Sequence, residues 1–188
     1  MFSVPEKNVE ELHLAPNQTV ADFGTGSGAY AIAAAKAMRG TGKVYAVDVQ
    51  KGILTRLENT CKEYGLGNIS FIWGDLEKPE GTRLRNDSCD AVILSNVLSQ
   101  ASDKKAVIDE VRRVLHPGGI LLLIDWTASF NNMGPVKEQV FPEAESRKLT
   151  EGSGFLFDRS INAGNYHYGL VMRKVISAAA KKEEHIHA

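Results

Sequence analysis

A chain of 188 residues, 43% of them hydrophobic, can bury one core and is short for two, so a single domain over residues 1–175 with a tail at 176–188 is expected. Twenty-two Lys+Arg against 23 Asp+Glu give a formal charge of −1, which offers no overall basic surface for a nucleic-acid backbone and disfavours a dedicated DNA or RNA binder, a local patch aside. Cys61 and Cys89 lack the CxxC spacing of a zinc or redox site, Met1 to Leu14 has no signal-peptide pattern, and no apolar run approaches the ~20 residues of a membrane span, so a soluble cytoplasmic protein with free thiols is expected.

Pro5, Val9 and Leu12 predict a short amphipathic helix that ends before the Pro16-Asn17 turn. Thr19 to Phe23 then reads as a strand that contains an acid, Asp22, and breaks into Gly24-Thr25-Gly26-Ser27-Gly28 before the alanine-rich helix Ala29 to Met38. Alternate glycines carry no Cβ, so the backbone can turn tightly and a ligand can approach the N–H groups that open the helix. Gly24, Gly26 and Ala29 also satisfy the loose dinucleotide pattern GxGxx(G/A), and a turn that binds nothing is the plain structural alternative.

Lys43 to Asp48 predicts a second strand closed by an acid, about 20 residues past the last motif glycine, where a carboxylate can accept from the hydroxyls of an adenosine ribose. Ile53, Leu57, Cys61 and Tyr64 recur at helical spacing from Lys51 onward, which makes Cys61 a core residue rather than a nucleophile. Ile69 to Trp73 is a third strand that runs into Gly74-Asp75-Leu76, and Asp75 stands at the same sheet end as Asp48, placed to accept from an adenine amino group or simply to form a turn. Glu77 to Ser88 is a polar loop with room for one helical turn.

Cys89 to Asn96 is a continuously apolar fourth strand of the kind covered on both faces. Asp103 can cap a helix whose one face is Val107, Ile108, Val111, Val114 and Leu115. His116-Pro117-Gly118-Gly119 is read as the stop before a fifth strand, Ile120 to Trp126. A polar loop, 127–140, leads to a helix near Pro142. Two runs joined by the four-residue turn Asn162 to Asn165 follow, and strands joined so tightly must be antiparallel. The tail from Ala178 is read as a helix, with no metal site at His185 and His187.

The ordered set Asp22-Phe23-Gly24-Thr25-Gly26-Ser27-Gly28, Asp48, Gly74-Asp75-Leu76, Ser95-Asn96, Leu115-His116-Pro117-Gly118-Gly119 and the closing hairpin resembles the class I S-adenosylmethionine-dependent methyltransferases, over about Pro5 to Lys174. The resemblance implies an α/β fold with a Rossmann-like, seven-stranded, mostly parallel doubly wound sheet and an antiparallel C-terminal hairpin. It implies S-adenosyl-L-methionine as cofactor and S-adenosyl-L-homocysteine as product. Gly24 and Gly26 would lie under the methionine part, Asp22 would order the turn and meet the cofactor's amino group, Asp48 with Val49 would hold the ribose, Asp75 with Leu76 would address adenine, and Ser95 and Asn96 would flank the sulfonium.

Two departures narrow the acceptor. Ser95-Asn96-Val97-Leu98 is not the Asn/Asp-Pro-Pro-aromatic motif of enzymes that methylate nucleobase or amide nitrogens, and two cysteines do not supply the set on which the arsenic-methylating relatives rely. The expectation is a methyltransferase for a small-molecule acceptor, monomeric or homodimeric, with no membrane span. Candidate bases are Asp125, Tyr30, His167 and His116, against the plain readings of cap, turn and strand packing. An NAD-dependent oxidoreductase and a catalytically silent cofactor-binding subunit are the alternatives.

Overall fold

The apolar runs become strands β1 (Thr19–Phe23), β2 (Lys43–Asp48), β3 (Ile69–Trp73), β4 (Cys89–Ser95), β5 (Leu115–Trp126), β6 (Phe155–Ile161) and β7 (His167–Lys174). The amphipathic stretches become helices α1 (Pro5–Glu10), α2 (Ala29–Ala37), α3 (Lys51–Glu63), α4 (Lys104–Val114) and α5 (Glu143–Gly152). This computed structural model describes residues 3–130 and 133–176, so the helix expected from Ala178, with His185 and His187, lies outside the described residues.

All seven strands form one sheet in the order β3-β2-β1-β4-β5-β7-β6. β1 to β5 pair in parallel, while β7 runs antiparallel to both β5 and β6. β7 is therefore the reversed strand, as the tight turn before it requires. The sheet is doubly wound. Val9, Leu12, Ala31, Ala34, Leu57 and Cys61 bring α1, α2 and α3 onto one face, and Val107, Ile108, Val111 and Leu149 bring α4 and α5 onto the other.

The order of strands positions the site. β1 and β4 are neighbours, yet the chain leaves β1 toward β2 on one side and reaches β4 only after β3, so their carboxyl ends flank a crevice into which no crossover runs. Asp22 pairs in register with Ala46 on one side and Ile93 on the other, which puts it in the middle of the sheet just below that crevice.

Three local expectations are corrected. β5 starts at Leu115 rather than Ile120: the register with β4 jumps from Cys89–Leu115 to Ala91–Ile120, and Pro117-Gly118-Gly119 is carried in the irregularity between them, where a proline's missing N–H costs no ladder bond. Glu77 to Ser88 contains turns and no helix, while the 127–140 loop holds a 3-10 turn at Lys137–Gln139. In α3 the core face is Leu54, Leu57 and Cys61; Tyr64 is exposed, with Lys36 over its ring at 5.6 Å. Asp103 does cap α4, accepting from Ala106 N at 3.0 Å.

Candidate active site

The glycine turn is pinned to the neighbouring strand before any ligand arrives. Gly24 N and Thr25 N both donate to the Val47 carbonyl at 2.9 Å, and Gly28 N donates to Thr25 O at 2.8 Å. Asp22 closes the turn from below: its Oδ2 accepts from Thr25 Oγ1 at 2.6 Å and from Ala31 N at 3.1 Å, tying the strand to the first turn of α2. One carboxylate oxygen thereby holds the strand, the turn and the helix together. Burial pushes its carboxyl up to about 6, against the two hydrogen bonds and with the help of the nearby Asp48 charge.

Asp48 has the parallel role on β2. Its Oδ2 accepts from Gly26 N at 3.1 Å and its Oδ1 from Gln50 N at 2.9 Å, which locks the turn tip to the start of α3. A carboxylate offers about four acceptor positions, so half remain for a ligand. Asp75 repeats the device one strand further out, its Oδ1 accepting from Glu77 N at 3.0 Å. Glu77 in turn accepts from Ser102 N at 3.1 Å and Asp103 N at 2.7 Å, holding the entry to α4.

These groups surround a cavity of about 620 Å³ at the carboxyl ends of β1 to β4. Every residue assigned from the sequence to cofactor binding lines it: Asp22, Gly24, Gly26, Asp48, Val49, Asp75, Leu76, Ser95 and Asn96. Val49 keeps 58% of its surface exposed, an apolar side chain left open beside two acids. Asn96 sits at φ +58°, its N–H donating to Ile124 O at 2.8 Å, and its buried Oδ1 has no hydrogen-bond partner.

The charge balance of the wall is one-sided. Asp22, Asp48, Asp75 and Glu77 are acidic, and no Lys, Arg or His occurs among the described lining residues. Such a wall favours a cationic ligand. A Cβ built on Gly26 would find only Gly24 O, at 3.9 Å, so the bare backbone there faces open cavity. An orphaned buried acceptor, a bare glycine floor and an acid-rich rim fit a ligand with an ammonium, a sulfonium and a ribose.

Of the candidate bases, only Tyr30 lines the cavity. Asp125 is buried at the end of β5, and both its oxygens are committed to backbone, Oδ2 to Ser99 N at 3.0 Å and Oδ1 to Trp126 N at 2.8 Å. His167 is buried against Trp126, ring centroids 4.3 Å apart, away from the cavity wall. His116 is exposed in the β5 irregularity, at the opposite sheet end. Asp125 thus holds backbone amides, His167 packs on Trp126 and His116 sits in the irregularity, and none of the three lines the cavity.

The cavity also includes residues that sequence reasoning passed over: Ser3, Pro5, Gln50, Ile53, Glu77 and Gln100. Two had a readable signal. Asp48-Val49-Gln50 and Asp75-Leu76-Glu77 share a pattern in which a strand-end acid accepts from the amide two residues on. Ser3 and Pro5 had none, since only the docking of α1 brings them over the turn.

A family model described as a methyltransferase domain matches residues 14–165. The crystal structure of a SAM dependent methyltransferase from Aquifex aeolicus superposes with a TM-score of 0.83 at 29% identity, covering 93% of this chain and 91% of that one. An arsenite methyltransferase of Aquipseudomonas alcaligenes is 31% identical over 110 residues, 56% of this chain and 32% of its own length. A demethylmenaquinone methyltransferase of Geobacillus kaustophilus is 28% identical over 121 residues, 64% of this chain and 50% of its own length. The chain thus spans about a third to a half of the length of these two curated relatives. The nicotinamide-oxidoreductase alternative finds no support among them.

Proposed function

This chain belongs to the methyltransferase-domain family, class I and S-adenosylmethionine-dependent, and from that membership we propose that it transfers a methyl group to a small-molecule acceptor by in-line displacement. One observation carries the reading: the nine residues expected to hold the cofactor converge on one acid-rimmed cavity at the sheet's switch point. The cofactor supplies a methyl group on a sulfonium, which is already a good leaving group.

The chain's contribution is alignment. Asp48 and Asp75 would hold the ribose and adenine, Asp22 and the free Asn96 Oδ1 would accept from the amino group, and the Gly24 to Gly26 floor lets the methionine portion lie against backbone. Fixing the reacting groups in line can lower a barrier by as much as ~7–11 kcal/mol without proton transfer.

Each acid of the wall accepts from at least one backbone amide and keeps its remaining acceptor positions for the cofactor in this reading, and no histidine, lysine or cysteine lines the described cavity. That favours an acceptor whose nucleophilic atom carries a lone pair at neutral pH and needs no strong base. Arsenite is disfavoured despite the relatives. A soft arsenic centre wants thiolates, while Cys61 is buried in α3 and Cys89 is buried at the amino end of β4, away from the cavity.

Calorimetric titration with S-adenosyl-L-homocysteine, with NADH as comparison ligand, tests the cofactor; transfer of labelled methyl groups across a panel of small amines, thiols and phenols tests the acceptor. Binding of S-adenosyl-L-homocysteine alone, with turnover on one acceptor class, is the expected result. Tight cofactor binding with no turnover on any acceptor would replace the enzyme by a silent cofactor-binding subunit.

A further inference from the structure

Outside the assigned cofactor residues, the cavity wall carries a built polar cluster that belongs to none of the acids. Ser3 Oγ and Tyr30 Oη are 2.8 Å apart, and the Asn8 side-chain amide donates to both, at 2.8 Å and 2.9 Å. Asn8 lies on α1 and is only 2% exposed, so this amide is fixed by packing and spends both its donors inside the cluster. Ser3 and Tyr30 both line the cavity.

The donors can be counted. Two hydroxyls carry two protons. One proton makes the Ser3–Tyr30 bond, whichever group gives it, and neither oxygen can return a proton to Asn8 Nδ2, the atom that contacts both and has no acceptor capacity. One hydroxyl proton is therefore left over, at the cavity wall. It calls for a hydrogen-bond acceptor from the ligand side.

The position of the cluster says which acceptor. α1 packs against α2, and the residue that follows it, Glu11, is held from the β6 side of the sheet, where Arg159 donates to Glu11 O at 2.6 Å. Asp48 and Asp75 lie on the opposite side, at the ends of β2 and β3. With adenosine on the acids, the amino-acid end of the cofactor would extend toward Ser3 and Tyr30. Its carboxylate would meet no cation among the described lining residues.

We propose that Ser3 and Tyr30, held by Asn8, form a one-donor subsite for the carboxylate of the bound S-adenosyl amino acid. This rests on the cofactor reading above. It makes a distinctive claim: the two hydroxyls are redundant. Removing either frees the other's proton to point into the cavity, and only removing both leaves the carboxylate without its donor.

The test is calorimetric binding of S-adenosyl-L-homocysteine and of 5′-methylthioadenosine, which lacks the amino-acid portion, to the wild type, Ser3→Ala, Tyr30→Phe and the double variant. Each single variant should change S-adenosyl-L-homocysteine affinity by less than about threefold, and the double variant should weaken it by on the order of tenfold or more. Methylthioadenosine affinity should stay constant throughout, which also certifies that each variant is folded. Unchanged S-adenosyl-L-homocysteine affinity in the double variant, or equal loss of both ligands, would overturn the subsite. A wild type that binds neither ligand would instead overturn the cofactor reading itself.

Discussion

Replacing Asp22 by asparagine isolates the cost of keeping a carboxylate in the middle of a covered sheet. Burial raises this group from 3.8 to about 6, with the Thr25 and Ala31 hydrogen bonds pulling the other way and Asp48 adding to the rise. A folded-state value above the unfolded one means the native chain holds the proton more tightly. The associated stability is therefore complete below the unfolded value and lost as pH rises through about 6. A rise of roughly two units corresponds to about 3 kcal/mol, of which about 2 kcal/mol falls between about pH 4.5 and about pH 7.5. The amide introduced by Asp22→Asn does not titrate, and its oxygen can still accept from Thr25 Oγ1 and Ala31 N. Urea unfolding of both proteins at the two pH values, followed by tryptophan fluorescence, should show the variant gaining about 2 kcal/mol on the wild type as pH rises. A difference that does not move with pH would refute the argument that burial governs this carboxylate.

Three further outcomes follow from the packing. Gly28 sits at φ +79°, where a Cβ would collide with the Leu57 methyl groups, so Gly28→Ala should cost about 2–4 kcal/mol in urea unfolding, less in a Leu57→Ala background; an undiminished midpoint would mean the turn relaxes freely. Glu110 is buried, which alone would raise its carboxyl, but its bonds to Arg113 and Thr82 outweigh burial and hold it lowered. Its stability contribution is present above the ordinary carboxylate value and fades as pH falls through the lowered one, and Glu110→Ala should cost about 2–3 kcal/mol at neutral pH, by leaving the buried Thr82 N without its acceptor and Arg113 without its carboxylate partner; a loss below about 1 kcal/mol would show the network to be dispensable. Both cysteines are buried, and burial first of all pushes the Cys89 thiol up to about 11. Iodoacetamide at about pH 8 should therefore label neither in the native protein and both in urea, read by mass spectrometry; rapid native labelling would contradict their placement.

Local chemistry explains why so much of the cavity's lining was readable along the chain. Asp22, Asp48 and Asp75 each end or nearly end an apolar run, and in a parallel sheet all such ends point the same way, so their convergence follows from β/α alternation alone. The glycines at 24, 26 and 28 have positive φ, the conformation that their spacing before a helix demands. The closing hairpin was legible because four residues cannot span a crossover.

What required the folded chain is of another kind. Whether Asp125 and His167 face a ligand or a core depends on which helix covers the end of β5 and on the Trp126 ring packed at a tilt against the imidazole, and no pattern within the strand encodes that. The irregularity at Pro117 to Gly119 sets the register between β4 and β5 and is decided by pairing, not propensity. Ser3 and Asn8 reach Tyr30 across separations of 27 and 22 residues only because Val9 and Leu12 seat α1 beside α2. Hydrophobic period and glycine spacing act over a few residues, and so the sequence by itself determined the elements, their order and the acids at their ends. Side-chain burial and long-range hydrogen bonds exist only once the layers close, and so the tertiary structure alone decided which polar groups the cavity keeps.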